Sequence, residues 1–269
     1  KGQRLYRRTL GRLEATPLNG TDGGQTPFFS PDGAWVGFFA ERRLKRVPAK
    51  GGAAIDIAAV SGFPAGASWG RDNRIVFGAG ARSPLWVVDA SGGTPEPLTK
   101  PAAGRGHRYP EILPDGRTVL FNEDSWIHAV DLASGRRTDR VAEGTRQWYA
   151  ASGHLILARG TTLEAAPLDL TRLAVTGPVV PVVEGVAREL TSGGVHAAVS
   201  SDGTLAYVPA AQTYELVLLK PDGSERLMSQ AALLQNPQFS PDGQRLVVST
   251  TRRAGEQSDL WIHDIGSEA

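Results

Sequence analysis

Seven polar or aromatic residues occupy comparable places in the chain, each at or just before a short apolar run that is typical of a β-strand. They are His107, Arg108, Arg146, Trp148, His196, Asn236 and Gln238. Guanidinium groups bind carboxylates through paired, charge-assisted hydrogen bonds, and imidazole, amide and aromatic side chains add directional contacts. If the fold brings these residues together, they predict a ligand-binding site for a small anionic molecule or a peptide.

Two patterns bear on enzyme chemistry. Residues Gly66 to Gly70 read GASWG and match the G-x-S-x-G nucleophile pattern, but that motif requires a sharp strand-to-helix turn and no helical pattern follows. We interpret this segment as a β-strand. The five histidines also lack the close spacing of metal-binding motifs such as H-E-x-x-H. The sequence therefore predicts no catalytic residue, no metal ion and no cofactor.

A repeated turn marks the elements that would position these side chains. FSPDG occurs at Phe29 to Gly33 and again at Phe239 to Gly243, with weaker copies at Leu113 to Gly116 and Ser200 to Gly203. Pro pre-sets φ for the first central position of a tight turn, Asp bonds the backbone ahead of it, and Gly accepts positive φ. Apolar runs on both sides of the turn predict β-hairpins.

The spacing of this turn predicts the fold. The turn Asp or its replacement recurs at intervals of roughly 40 to 50 residues, which is the period of four-stranded propeller blades. The positions are Asp32, Asp72, Asp115, Ser152, Asp202 and Asp242. We predict one all-β domain over residues 1–269, a six-bladed β-propeller of four-stranded antiparallel blades, with seven blades as the alternative.

The last blade is predicted to be closed by an N-terminal strand, because the chain stops after a third strand. Closure of this kind removes exposed sheet edges, which otherwise invite aggregation. The runs at Arg4 to Leu10 and Ser258 to Ile265 both look like third strands. The sequence leaves open which of them completes the blade.

In a propeller, the inner strands run along a central channel, so the residues that enter them converge at one mouth. We hypothesise that Arg108, Arg146 and His196 bind a carboxylate-bearing or peptide ligand there. The alternative is that these groups cap strand ends and hold channel water, since polar groups in loops commonly satisfy the backbone. The turn aspartates would lie on the opposite face, and we interpret them as structural.

Composition excludes several other partners. The formal net charge is +1 and no basic stripe follows any predicted element, so we expect no nucleic-acid binding. No run approaches the ~20 apolar residues of a membrane span, so this segment should not insert into a bilayer. There is no Cys, which excludes disulfides and thiol chemistry and says nothing about compartment. No signal peptide opens the chain, and Lys1 suggests a mature or excised fragment.

With these residues in view, the chain resembles the TolB-like family of propellers built from PD40 repeats. The likeness rests on the FSPDG turn, the run AWVGFF after it and a later LW or LK with a Gly-Gly turn, and it spans nearly the whole chain. A closer likeness is to the region that follows the membrane span in bacterial eukaryote-like Ser/Thr protein kinases, carried by residues 13–52 and 106–121. The Gly-rich loop, HRD and DFG motifs of the kinase domain itself are absent.

The resemblance implies a non-catalytic sensor domain, in the periplasm or at the cell surface, that binds a ligand or a partner protein. On this basis we expect that the chain is not an enzyme. Two alternatives remain. Some TolB-like propellers are metal-dependent polysaccharide lyases with His ligands at the channel mouth, and others could act as protein-docking scaffolds.

Overall fold

Every regular element in the described part of the chain is a β-strand. The computed structural model describes residues 3–9, 15–188, 194–210, 214–231, 233–251 and 258–265. The strands form six sheets, which confirms the prediction of a six-bladed all-β propeller.

The strands are numbered in chain order. The N-terminal pair consists of β1 (Arg4–Thr9) and β2 (Ala15–Pro17). The first blade consists of β3 (Gln25–Phe29), β4 (Trp35–Ala40), β5 (Arg43–Pro48) and β6 (Ile55–Ala59). The second consists of β7 (Pro64–Trp69), β8 (Arg74–Ala79), β9 (Leu85–Asp89) and β10 (Glu96–Pro97). The third consists of β11 (His107–Ile112), β12 (Thr118–Glu123), β13 (Trp126–Asp131) and β14 (Arg137–Glu143).

The second half of the chain repeats this order with local changes. The fourth blade consists of β15 (Arg146–Ala150), β16 (His154–Arg159), β17 (Thr162–Asp169), β18 (Ala174–Val175) and β19 (Val180–Val183). The fifth consists of β20 (Ala197–Val199), β21 (Leu205–Tyr207), β22 (Tyr214–Leu219) and β23 (Glu225–Ala231). The sixth blade begins with β24 (Leu233–Phe239), β25 (Arg245–Thr251) and β26 (Ser258–Asp264). In blades one to five, neighbouring strands are antiparallel and follow chain order, and β17 pairs with both β18 and β19.

The two chain ends meet in the sixth blade, and both candidate third strands are used. The sheet order there is β2-β1-β26-β25-β24. Strand β1 lies parallel to β26, with Leu5 opposite Leu260, and β2 pairs antiparallel with β1. The N-terminal strand therefore closes the ring as predicted, in a blade of five strands. The shared Leu5 and Leu260 side chains are fully buried, so closure also completes a core.

The repeated turn folds as its sequence requires. Ser30 Oγ donates a 2.5 Å hydrogen bond to Asp32, whose carboxylate also accepts the amide of Ala34 at 3.0 Å. The Ser30 hydrogen bond, followed by the Ala34 amide, holds the pKa of Asp32 below its ordinary value. Gly33 supplies the positive φ of +65°. Ser and Asp are paired in the same way in the fifth and sixth blades, which supports the structural role predicted for the turn aspartates.

The core lies between neighbouring blades, because a single four-stranded sheet cannot cover its own faces. Between blades one and two, Phe28 stands 6.3 Å from both Phe39 and Trp69, and Phe39 stands 5.9 Å from Phe77. All four are buried. Burying one such aromatic side chain contributes about 2 to 3 kcal/mol, so each blade is stabilised mainly by its neighbours.

Candidate functional site

The inner strands enclose a cavity of about 640 Å³ at one mouth of the central channel. This volume is within the range of small-molecule sites. Its wall is rich in hydrogen-bonding groups, with two guanidinium groups, one carboxyl group, several amides and hydroxyls, and aromatic rings. The residues that carry these groups are Gln3, Gln25, Thr26, Phe63, Ser68, Arg108, Tyr109, Glu111, Arg146, Gln147, Trp148, Gln235, Asn236, Gln238 and Ser249.

The inner strands of four blades share a bulge at the level of this cavity. In β3, β7, β11 and β24 the pairing register shifts by one residue. The shift contains a residue with positive φ: Thr26 (47°), Gly66 (91°), Tyr109 (52°) or Asn236 (51°). Positive φ is unusual for Tyr and a clear outlier for the β-branched Thr. A bulge re-aims the side chains around it, and here all four bulged residues line the cavity.

The sequence carries a local sign of these bulges. Thr26, Tyr109 and Asn236 are each followed directly by Pro. Because Pro has no N–H to give to a sheet ladder, it occurs in strands mainly at edges and bulges. In the second blade the bulge uses Gly66 followed by Ala67 instead. The fourth blade differs, since β15 pairs with β16 without a break in register from Arg146 to Ala150.

Arg146 is held in the fourth-blade wall by aromatic rings. Its guanidinium carbon lies 4.7 Å from the centre of the Tyr109 ring and 5.1 Å from that of Trp148. Its Nη1 donates to the Val195 carbonyl at 3.4 Å. Arg146 is only 7% exposed, so a positive charge is buried in the wall of the channel. Cations over aromatic faces gain more stability when they are desolvated in this way.

Glu111 is the acidic group of this wall in the described chain. Its Oε1 accepts the backbone amide of Tyr149, in the neighbouring blade, at 2.8 Å. The other oxygen, Oε2, is shielded from solvent and has no hydrogen-bond partner among the described residues. Burial raises the pKa of Glu111, and the Tyr149 amide and the charge of Arg146 only partly oppose it, so the pKa is about 7.

Five of the seven residues predicted from the sequence line the cavity: Arg108, Arg146, Trp148, Asn236 and Gln238. The structure thus brings together the cations, amides and aromatic ring on which the prediction depended. The other two, His107 and His196, are 0% and 2% exposed and are not among the cavity residues. The proposed trio of Arg108, Arg146 and His196 is therefore not assembled, because His196 is directed elsewhere.

His196 connects two blades. Its Nδ1 accepts the backbone amide of Asn236 at 3.1 Å, across the seam between blades five and six. The bond holds the bulged residue Asn236 in place. His196 thus supports the cavity wall rather than facing into the cavity.

His107 belongs to a buried charge cluster inside the third blade. Its Nε2 lies 3.0 Å from Glu123 Oε1 and its Nδ1 lies 2.6 Å from Thr99 Oγ1. Because Thr99 Oγ1 already accepts the Leu85 amide at 2.8 Å, its hydroxyl proton is available to Nδ1, which leaves the ring proton on Nε2 facing the carboxylate. Arg137 donates to the other Glu123 oxygen at 2.7 Å.

The pKa values in this cluster show opposing effects. Burial alone would raise the pKa of Glu123, but the hydrogen bonds from Arg137 and His107 outweigh it and lower the pKa to about 2. Burial lowers the pKa of His107 despite the neighbouring carboxylate. A neutral imidazole between a hydroxyl and a carboxylate is a structural tie here, because it is closed off from the cavity and from solvent.

The nucleophile pattern GASWG is a strand, as expected. Ser68 lies in β7, and its Oγ accepts the amide of Ile112 in the next blade at 3.1 Å. No strand-to-helix turn follows. Ser68 and Glu111 hold equivalent places, two residues after the bulge, and both accept an amide from the following blade.

Sequence reasoning missed two cavity residues of consequence. Glu111 could have been found as the only carboxylate in an otherwise uncharged slot, the place two residues after the bulge that Phe28, Ser68 and Gln238 hold in other blades. Phe63 stands at the rim before β7 and is 84% exposed. Only its exposure makes it notable, and exposure is not visible in the sequence.

Comparison with known proteins shows the fold. A scan against models of protein families finds no match, and no curated protein matches. Among solved structures, the chain is similar to TolB from Acinetobacter baumannii, with 20% identity and a TM-score of 0.62 over 89% of this chain and 60% of that one. It is also similar to a gluconolactonase from Xanthomonas campestris, with 15% identity and a TM-score of 0.64 over 85% and 83% of the two chains. A third is an oligogalacturonate lyase in complex with manganese, with 14% identity and a TM-score of 0.57 over 91% and 78%.

These neighbours correct one expectation. The resemblance to TolB-like propellers led us to expect that the chain is not an enzyme, yet chains of the same architecture include a gluconolactonase and a lyase. The fold therefore gives no ground for excluding catalysis. The likeness to TolB is confirmed at the level of the fold, and no kinase-associated protein is among the structures compared.

Two further observations limit the choice of chemistry. Within the described residues, no three His, Asp or Glu side chains come together in a way that could hold a metal ion, so the manganese named for the lyase has no fitting ligand set here. A search of the described residues for a helix long and apolar enough to cross a bilayer also finds none.

Proposed function

We propose that the channel cavity binds a small carboxylate-bearing, hydroxylated compound such as a sugar acid, as ligand or as substrate. The observation that carries this proposal is the presence of Arg108 and Arg146 in one cavity of small-molecule size, opposed by a single acidic residue. Guanidinium groups match carboxylates in shape and charge. Two cations against one carboxyl group give the cavity a positive balance, which favours an anion.

The remaining wall supports a ligand with hydroxyl groups. Gln147 Oε1 and Glu111 Oε2 are both buried acceptor oxygens without a hydrogen-bond partner in the described chain. Buried acceptors are almost always satisfied, so donors from a ligand or from water are expected there. The amides of Gln25, Asn236 and Gln238 add further partners.

Phe63 supports a ligand with an apolar face. Its ring is 84% exposed at the cavity rim, where it does little for the core. A ring in this position can stack on the C–H face of a sugar ring, and aromatic rings are among the usual lining groups of small-molecule sites. The names of two fold neighbours, a gluconolactonase and an oligogalacturonate lyase, are a reason to begin with sugar acids.

The test is a titration of the full chain with D-gluconate and D-galacturonate, with D-glucose and D-galactose as uncharged controls. Calorimetry measures the affinity, and an NMR spectrum of each incubation shows any product. We expect the acids to bind and the neutral sugars to bind at least about tenfold more weakly, because a charge-assisted hydrogen bond contributes about 1.5 to 3 kcal/mol.

Three variants locate the site. Arg108→Ala and Phe63→Ala should each weaken acid binding about tenfold or more with little change in stability, since neither side chain is buried. Arg117→Ala is the matched control, because Arg117 is 70% exposed and pairs with Asp131 away from the cavity. Equal affinity for acids and neutral sugars, or an equal loss in all three variants, would contradict the proposal.

The place of the protein in the cell also stays a proposal. The resemblance to TolB-like propellers and to the outer regions of bacterial receptor-like kinases supports a site outside the cytoplasm, where small nutrients are met first. Fractionation of the source cells with an antibody to this domain tests it. Recovery in the cytosolic fraction alone would contradict it.

A further inference from the structure

Glu111 is placed so that one of its oxygens is fixed and the other is left for a ligand. Oε1 accepts the Tyr149 amide at 2.8 Å, which sets the orientation of the carboxyl group. Oε2 is buried and has no hydrogen-bond partner in the described chain, although the residue lines the cavity. Water or a ligand in the cavity is therefore the partner that this oxygen can have.

The charges around Glu111 are few. Its own strand, β11, contributes Arg108 and Tyr109, and the neighbouring inner strand β15 contributes Arg146 and Tyr149. Strand β7, on the other side, contains no charged residue. The one charged residue of β12, Glu123, is bound to His107 and Arg137 at the far end of the strand.

This setting keeps the carboxyl group close to the balance between its two forms. Burial raises the pKa of Glu111, while the Tyr149 amide and the charge of Arg146 lower it, with a result of about 7. A second negative charge in the cavity would disfavour the ionised form still further. A protonated Oε2, in contrast, can donate a hydrogen bond to an anionic oxygen.

We infer that the cavity takes up its anionic ligand together with one proton, which comes from solvent and is held on Glu111 Oε2, where it is donated to a ligand oxygen. No covalent bond changes in this step. The inference rests on the proposed anion binding and adds its acid–base group. A carboxyl group that is protonated at neutral pH beside a bound anion is also placed to act as a general acid on it.

The experiment is calorimetric titration of the full chain with D-gluconate and D-galacturonate between about pH 6 and about pH 8.5. The carboxyl groups of both probes stay ionised over this range. We expect binding to weaken at least about tenfold from the lower to the higher pH, since each unit above the pKa removes about tenfold of the protonated form. Repeating the titration near pH 8 in buffers of different ionisation enthalpy should give an uptake approaching one proton per ligand.

Glu111→Gln is the matched variant. Its side-chain carbonyl can still accept the Tyr149 amide, its N–H group can donate to the anion, and it does not ionise. We expect its affinity to be independent of pH and about tenfold higher than that of the wild type near pH 8.5. Carboxyl carbon-13 NMR of the wild type should show one Glu that titrates near pH 7 and is absent from the variant.

The outcomes separate this inference from the function on which it rests. Anion binding that is independent of pH in the wild type, or an unchanged pH slope in Glu111→Gln, overturns the proton uptake and leaves anion binding standing. No binding of either acid to either protein overturns both. If the variant does not fold, the proton count and the NMR titration of the wild type decide the question.

Discussion

A Cβ atom on Gly66 would lie 2.9 Å from the Cα of Tyr109, closer than such atoms approach in real structures. Both residues are bulged, with φ of +91° and +52°, and they belong to the inner strands of neighbouring blades. The two bulges therefore face each other backbone to backbone. Glycine is needed in the second blade because it alone combines the left-handed conformation with this approach, and the cavity wall takes its shape from the contact.

Gly66→Ala should destabilise the protein by about 3 kcal/mol, through the left-handed strain and the displacement of the Tyr109 backbone. Urea unfolding measures the loss. Gly116→Ala is the control, because Gly116 has φ of +67° and nothing within 4 Å of the added methyl group. It should lose only about 1 kcal/mol. Similar losses in the two variants would mean that the close approach to Tyr109 is not constrained.

Glu111→Gln should be more stable than the wild type in alkaline solution. The pKa of Glu111 is raised in the folded protein from 4.5 to about 7, so the folded state binds this proton more tightly than the unfolded chain. Its contribution is fully present below about pH 4.5 and is lost as the pH rises through about 7, by about 3 kcal/mol. The variant should therefore match the wild type near pH 4.5 and exceed it by up to this amount near pH 8.

The measurement is the unfolding midpoint in urea as a function of pH for both proteins. Glu96→Gln serves as the control, since Glu96 is an exposed residue of the short edge strand β10. A constant difference between Glu111→Gln and the wild type at every pH would contradict a raised pKa at this site.

Glu123→Gln should show the opposite dependence on pH. The pKa of Glu123 is lowered to about 2, so its contribution is present above about pH 4.5 and is lost as the pH falls towards 2. Removing the charge leaves Arg137 without its buried partner, and we expect a loss of about 3 kcal/mol near pH 7. Unfolding at pH 7 and at about pH 3 should show the gap narrowing.

The residue next to Glu123 provides a matched control. Asp124 is 54% exposed on its side chain and pairs with Arg105 at 3.2 Å. Asp124→Asn should cost about 0.5 kcal/mol or less, because exposed ion pairs contribute little. If both variants lost the same stability, the cluster around His107 would not be the tie between the strands of this blade.

The fold could be predicted because its repeat depends on local chemistry. The turn at Ser30 to Gly33 is closed by bonds between residues at most five positions apart, and its period gives the number of blades. The fate of the surplus strand could not be predicted in the same way. The parallel pairing of β1 with β26 joins residues more than 250 positions apart, and no local pattern encodes it.

The site was predictable only to the level of the strand. His107 and Arg108 are adjacent, and successive side chains of a strand point to opposite faces. His107 is fully buried while Arg108 lines the cavity, and only the register of the sheet decides which of the two faces the channel. Glu111 escaped prediction for a related reason, since the bulge at Tyr109 shifts the phase of the strand before Glu111 is reached.

Removal of residues 1–18 should open the ring and turn the sixth blade into an assembly site. The deletion takes away β1 and β2 and leaves the edge of β26 unpaired, and it removes the fully buried Leu5. An unpaired edge strand readily pairs with another chain. We expect the truncated protein to lose several kcal/mol of stability, since burying one leucine alone contributes about 2 kcal/mol, and to form oligomers in size-exclusion chromatography with light scattering. A synthetic peptide of residues 1–18 added in trans should restore the monomer, whereas a peptide of the same composition in scrambled order should not. A truncated chain that stays monomeric with an unchanged unfolding midpoint would show that pairing of β1 with β26 does not hold the ring closed.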